Sequence, residues 1–166
     1  MKAKFSVIVV SDRIAEGKAE DRSGKFATNE IRRYGYEVVF YAVVRNRREE
    51  ILGALEDSRE YGANTVLLIG GTGIGPRDIT VDVVESIAEK TIPGFGELFR
   101  YLTFKREGTK AWLSRALAAT YKGTLIFVTP GSPNAVELAL KELILPEISH
   151  ALKIISGMSH WDEHHH

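Results

Sequence analysis

Four apolar residues running into a glycine cluster, Val66-Leu67-Leu68-Ile69-Gly70-Gly71-Thr72-Gly73, constrain this chain more than any other stretch. An uninterrupted apolar run of that length reads as a strand buried on both faces, the usual state of a strand inside a parallel sheet. The glycines end it, admit backbone conformations closed to other residues and let a ligand approach the N–H groups. Asp78, Thr80 and Asp82 then offer capping oxygens to a following helix. Strand, glycine loop and helix start together form the junction at which open α/β sheets bind ligands, often anions. Glycines placed for steric reasons in a tight turn give the same residues, so the rest of the chain has to decide.

Two well-known glycine motifs do not fit. Counting from Gly71 and Gly73, the third glycine of a dinucleotide fingerprint falls on Pro76, and a phosphate-cradling P-loop needs a lysine that this loop lacks.

Strands and helices alternate along the chain. Phe5 to Val10 reads as a buried strand ending at Ser11-Asp12, followed by an exposed loop from Arg13 to Arg22. Phe26, Ala27, Ile31 and Tyr34 then fall at helical spacing behind Ser23 as cap, with Gly35 closing the helix. Val38 to Val44 reads as the second strand, and Ile51, Leu52 and Leu55 mark a helix that ends at Tyr61-Gly62 before the glycine-loop strand. Crossovers of this length imply parallel pairing and right-handed connections. Beyond the loop come helices carrying Val81, Val84 and Ile87, then Phe95, Leu98, Phe99 and Leu102, separated by Ile92-Pro93-Gly94. A strand near Arg115 to Thr120, antiparallel to Thr124–Val128 across the Tyr121-Lys122-Gly123 turn, makes the sheet mixed. Pro130-Gly131-Ser132-Pro133 ends that strand and opens a helix with Ser132 at its cap, and a last helix starts at Pro146. Two strand-to-helix junctions and Ser11-Asp12 converge on one sheet edge, which makes a glycine-lined polar pocket; helix-start chemistry alone accounts equally for the second junction.

With 166 residues and 44% hydrophobic content the chain suits one domain, taken as residues 1–158, with a polar tail at 159–166 whose closing histidines resemble an expression tag. Basic and acidic residues balance at 22 each, which gives no footprint for nucleic acid. Without cysteine there is no disulfide, thiolate zinc site or cysteine nucleophile. The chain enters directly into a strand and has no apolar run of membrane-spanning length, so the expectation is a cytoplasmic protein.

Five motifs together resemble the MoaB/MogA family of molybdenum cofactor biosynthesis, related to the G domain of gephyrin: Gly70-Gly71-Thr72-Gly73 with Pro76-Arg77-Asp78 and Thr80, Pro93-Gly94-Phe95-Gly96-Glu97, Leu113-Ser114-Arg115-Ala116, Pro130-Gly131-Ser132-Pro133, and Ser11-Asp12. The resemblance implies a three-layer α/β/α domain with a mostly parallel, mixed sheet, assembled as trimer or hexamer. It further implies molybdopterin and ATP as substrates, adenylyl transfer to the pterin's terminal phosphate with release of pyrophosphate, and magnesium. Ser11, Asp12, Gly70, Gly71, Thr72, Gly73, Gly131 and Ser132 would then bind substrate. Ser114 and Arg115 would supply a hydroxyl and a guanidinium, the alternative for Arg115 being a surface position on an edge strand. Asp78 resembles the family's aspartate after the glycine loop and is the expected catalytic and magnesium-binding residue, with helix capping as its other role.

One stretch departs from the family. After the second strand relatives carry Pro-Asp-Asp or Pro-Asp-Glu, where this chain has Arg45-Asn46-Arg47. Asn46, at the catalytic position, brings a carbonyl but no charge, and the arginines beside it repel a cation or hold a polyphosphate. A molybdopterin-binding or scaffold protein with little turnover is therefore the alternative to an enzyme.

Overall fold

The computed structural model describes residues 2–157; the tail expected at 159–166 lies outside them. The first strand, β1 (Lys4–Val10), is followed by α1 (Asp12–Ala15), α2 (Arg22–Arg33) and β2 (Glu37–Val44). Next come α3 (Arg48–Glu60), β3 (Thr65–Ile69), α4 (Thr80–Ile87), the two-residue β4 (Lys90–Thr91) and α5 (Pro93–Glu107), which runs into a 3₁₀ turn at Gly108–Leu113. The antiparallel pair β5 (Leu117–Tyr121) and β6 (Thr124–Thr129) precedes α6 (Pro133–Leu138), a π-helical turn at Ala139–Ile144, and α7 (Ile148–Ile155).

These strands form one sheet in the order β2-β1-β3-β6-β5-β4. The first four run parallel, while β5 is antiparallel to both neighbours, so the sheet is mixed as the sequence implies. Side-chain alternation feeds two cores. Val7, Val9, Leu67, Ile69 and Phe127 point to the layer of α2, α5, α6 and α7, and Ile8, Val10, Val66, Leu68 and Val128 to the layer of α3 and α4. This is the three-layer α/β/α arrangement.

Local rules hold at several ends. Ser132 accepts from the Ala135 N–H with Pro133 in the first turn, and Gly35 and Gly62 leave their helices at positive φ. Elsewhere tertiary partners override them. Asp21 rather than Ser23 caps α2, its carboxylate accepting from the Gly24 N–H at 2.8 Å, and Ser23 instead donates to the Gly131 carbonyl at 2.6 Å. The expected loop at Arg13–Arg22 begins as a helical turn, because Ser11 caps it by accepting from Ile14. None of Asp78, Thr80 and Asp82 caps α4, whose N-terminus has no side-chain cap. Arg115 precedes β5, and β4 covers that strand, so the arginine is not on an edge strand.

The cap of α2 is itself held across the fold, since the Tyr41 hydroxyl donates to Asp21. Burial, the hydrogen bond and the Asp21 charge push the Tyr41 phenol well above its ordinary value. Its folded pKa is raised, so its contribution to stability is whole below about pH 10 and is lost as pH rises from there. Tyr41→Phe should flatten that alkaline fall in stability, measured as the urea midpoint between about pH 9 and 11. An unchanged profile would assign the fall to other groups.

Candidate functional site

All four parallel strands deliver their carboxyl ends to one edge. β2 lies on one side of β1 and β3 on the other, so the chain switches direction at the β1/β3 boundary, the place where open sheets of this kind form a ligand crevice. Gly70 and Gly71, with φ of 110° and 74°, turn the backbone there. A Cβ on Gly70 would strike the Val10 carbonyl, and one on Gly71 the Thr80 hydroxyl, so both positions exclude a side chain by space as well as by conformation. Gly70 also donates to the Thr129 carbonyl at 2.8 Å, tying the loop to β6. Gly73 differs: its φ suits any residue, but a Cβ would lie 2.6 Å from Asp78 Oδ2. It is glycine to make room for the aspartate.

The resulting cleft has two halves that share Gly71 and Gly131. One, of about 410 Å³, is bounded by Ser11, Asp21, Ser23 and Gly70. The other, of about 360 Å³, has Thr72, Gly73, Asp78, Ser114 and Ser132 as polar walls and Phe99 and Leu113 among its apolar ones. Nine of the twelve expected site residues therefore meet: Ser11, Gly70, Gly71, Thr72, Gly73, Asp78, Ser114, Gly131 and Ser132. Asp12, Asn46 and Arg115 stand outside the lining and act on it indirectly.

Arg115 braces the glycine loop from behind. Its Nε donates to the Gly73 carbonyl at 2.9 Å, one terminal nitrogen donates to the Asp78 carbonyl at 2.7 Å, and the fork pairs with the Asp82 carboxylate. The hydrogen bond from Arg115 holds Asp82 below the usual carboxylate range and Asp82 raises the guanidinium in turn. Two of its donors go to loop carbonyls and two to Asp82 on α4, which makes Arg115 a positioning group that ties the loop to that helix.

Asp12 is the other organiser. One of its oxygens accepts from the Asn46 N–H at 2.9 Å and the other pairs with Arg77 at 3.3 Å, so the ends of β1, β2 and β3 are linked through one carboxylate. The Asn46 N–H, aided by the Asn46 side chain, Arg77 and Arg47, holds Asp12 below its ordinary pKa. Arg45 and Arg47 both face Glu50 at 3.8 Å and are partly neutralised by it. Asp21 was not singled out in the sequence and Ser23 only as a helix cap; the Asp21-Arg22-Ser23-Gly24 run is a helix-start pattern that only the fold brings to the cleft.

Asp78 suits a hard cation. Oδ2 accepts from the Gly75 N–H at 2.9 Å, and the carboxylate lines the cleft. Among the described residues no three acidic or histidine groups cluster to form a cage. One carboxylate with substrate phosphates completing the shell is the arrangement magnesium commonly takes.

Over residues 6–150 the chain matches the family described as a probable molybdopterin binding domain. It is 36% identical to molybdenum cofactor biosynthesis protein B of Bacillus subtilis over 154 residues, 92% of this chain and 89% of that protein. To the molybdopterin adenylyltransferase of Pyrococcus furiosus it is 40% identical over 154 residues, 90% and 89% of the two chains. The crystal structure of the tungsten cofactor synthesizing protein MoaB from P. furiosus superposes with a TM-score of 0.88 at 38% identity, covering 93% of this chain and 97% of that one. The chain belongs to the MoaB/MogA family. As a member of this family of molybdenum cofactor biosynthesis proteins it carries the glycine loop, the aspartate and the Pro-Gly-Ser-Pro junction in one cleft. No helix among the described residues is long and apolar enough to cross a membrane.

Proposed function

We propose that this protein adenylylates molybdopterin. A terminal phosphate oxygen of the pterin attacks the α-phosphorus of ATP, the bond from that phosphorus to the β-phosphate's bridging oxygen breaks, and pyrophosphate leaves with the electron pair. The observation that carries the reading is the two-part cleft joined at Gly71 and Gly131: two ligands placed in its halves meet at a backbone with no side chain in the way. Little covalent help is needed, because placing a phosphate nucleophile in line with the α-phosphate supplies most of the advantage. Backbone N–H groups of the glycine loop and the α6 start, together with Ser11, Ser114 and Ser132, offer donors to phosphate oxygens. Magnesium, when bound at Asp78, would neutralise the pyrophosphate leaving group.

Incubation with molybdopterin, ATP and magnesium should yield adenylylated pterin and pyrophosphate in equal amounts. Pterin binding without pyrophosphate would favour the second reading, a binding or scaffold protein, for which Asn46 is the observation in support. Self-association as trimer or hexamer belongs to the same proposal: Leu98, Tyr101, Phe104 and Trp112 are more than half exposed along α5 and the turn after it, a larger apolar display than a monomer usually leaves in water. Sedimentation reads it directly. A cytoplasmic location accords with the use of ATP.

Asn46→Asp tests the departure from the family. The new carboxylate would face Asp12, so the variant should melt lower than wild type without metal. Added magnesium should raise its melting temperature more than it raises that of wild type, with binding at least about tenfold tighter. Equal responses to magnesium would mean that Arg45, Arg47 and Arg77 cancel the added charge.

A further inference from the structure

Away from the cleft, α2 and the start of β2 enclose a groove of about 570 Å³. Lys25, Thr28, Asn29 and Arg32 contribute one side of α2, spaced three and four residues apart, and Val38 and the ring of Tyr41 form an apolar wall. Its polar groups are unspent. Arg32 makes no ion pair with any described residue, and Lys25 has only a loose surface pair with Glu20 at 3.4 Å. The nearby acids are occupied, Glu30 by Arg33 at 2.8 Å and Asp21 by Gly24 and Tyr41. The β1/β2 register also skips Val39, a bulge that leaves its backbone outside the ladder at this free edge.

We infer that this groove is a second ligand site, for a small organic anion with a flat apolar body and a carboxylate or phosphate head. Arg32 and Lys25 receive the head, Asn29 completes its hydrogen bonds, and Val38 and Tyr41 take the body. A second copy of this chain is a poorer occupant, since two-fold pairing along β2 sets basic α2 against basic α2 and the bulge at Val39 interrupts the new ladder.

The probe is 1-naphthyl phosphate, with 1-naphthoate and 1-naphthol beside it, titrated into the full chain by calorimetry and followed by amide chemical shifts. Shifts at Thr28, Arg32 and Val39 are expected, with Arg32→Gln weakening the two anions about tenfold and leaving naphthol unchanged. Lys25→Gln should weaken them as well, whereas Asp78→Asn in the cleft should not. Whichever anion binds more tightly identifies the head group. Anion affinity indifferent to both groove variants, shifts confined to Gly70–Asp78, or a dimer that buries the groove would each overturn the inference.

Discussion

Gly71→Ala is expected to leave a folded protein that no longer binds molybdopterin or ATP measurably. Two independent effects act at this position. The backbone sits at φ 74°, where a side chain costs about 1 to 3 kcal/mol of strain, and the new methyl would strike the hydroxyl and Cβ of Thr80. Thr80 has no room to yield, being fully buried at the start of α4. The loop must therefore move as a unit, and Gly71 borders both halves of the cleft. Affinity for each ligand should fall by more than about a hundredfold, because losing two charge-assisted backbone hydrogen bonds costs about 3 kcal/mol or more. Calorimetry with each ligand separately, beside a thermal melt, checks it. Retained affinity for either ligand would place that ligand away from the loop. Gly71→Ala with Thr80→Ala removes the clash with the hydroxyl but keeps the close Cβ and the strained φ, so it should recover part of the stability before it recovers binding.

Asp78→Asn should lower turnover by about 10² to 10³ while changing pterin affinity little, the size seen when one preorganised electrostatic group is removed from a reacting centre. The substitution is nearly isosteric, and the asparagine carbonyl can still accept from the Gly75 N–H that Asp78 Oδ2 holds at 2.9 Å. Loop geometry is thereby preserved and only the charge is lost. Asp78 makes no cap to α4, so a drop in turnover cannot be ascribed to a frayed helix. Asp78→Ala is the sterner control: it frees the Gly75 N–H and empties the space that keeps position 73 glycine, so it should weaken binding as well as turnover. Full activity in Asp78→Asn would leave the aspartate only its hydrogen bond within the loop.

Much of the fold is legible in the sequence because its signals are local. The apolar run at Val66–Ile69, buried throughout β3, needs only its own composition to read as a central strand. Gly35, Gly62 and Ser132 act within a few residues of themselves, and the structure uses them as short-range rules require. Parallel pairing and the hand of the connections follow in turn from crossovers of this length, whereas the order β2-β1-β3-β6 is seen only in the fold. Where two local candidates compete, local rules can choose wrongly, as they did in naming Ser23 the cap of α2. Asp21 and Ser23 can both cap α2, and the choice falls to Asp21 because Tyr41 completes its hydrogen bonds while Gly131 takes the hydroxyl of Ser23.

The cleft divides in the same way. Its glycines, Asp78 and the Pro-Gly-Ser-Pro junction are adjacent in sequence to strand ends, so alternation alone places them at one edge. What holds the edge in shape spans long separations: Arg115 reaches back to the carbonyls of Gly73 and Asp78, and Asp12 receives Asn46 from β2 and Arg77 from the loop. The family resemblance implied that Arg115 offers its guanidinium to substrate and put Asn46 at the catalytic position. Their partners are loop groups whose positions exist only once the sheet is assembled. The sequence by itself determined which backbone lies open to a ligand, through residues that act on their own neighbours. Only the tertiary structure decided which charged side chains remain free to touch that ligand, because a charge is spent on whatever partner the fold brings within hydrogen-bond reach.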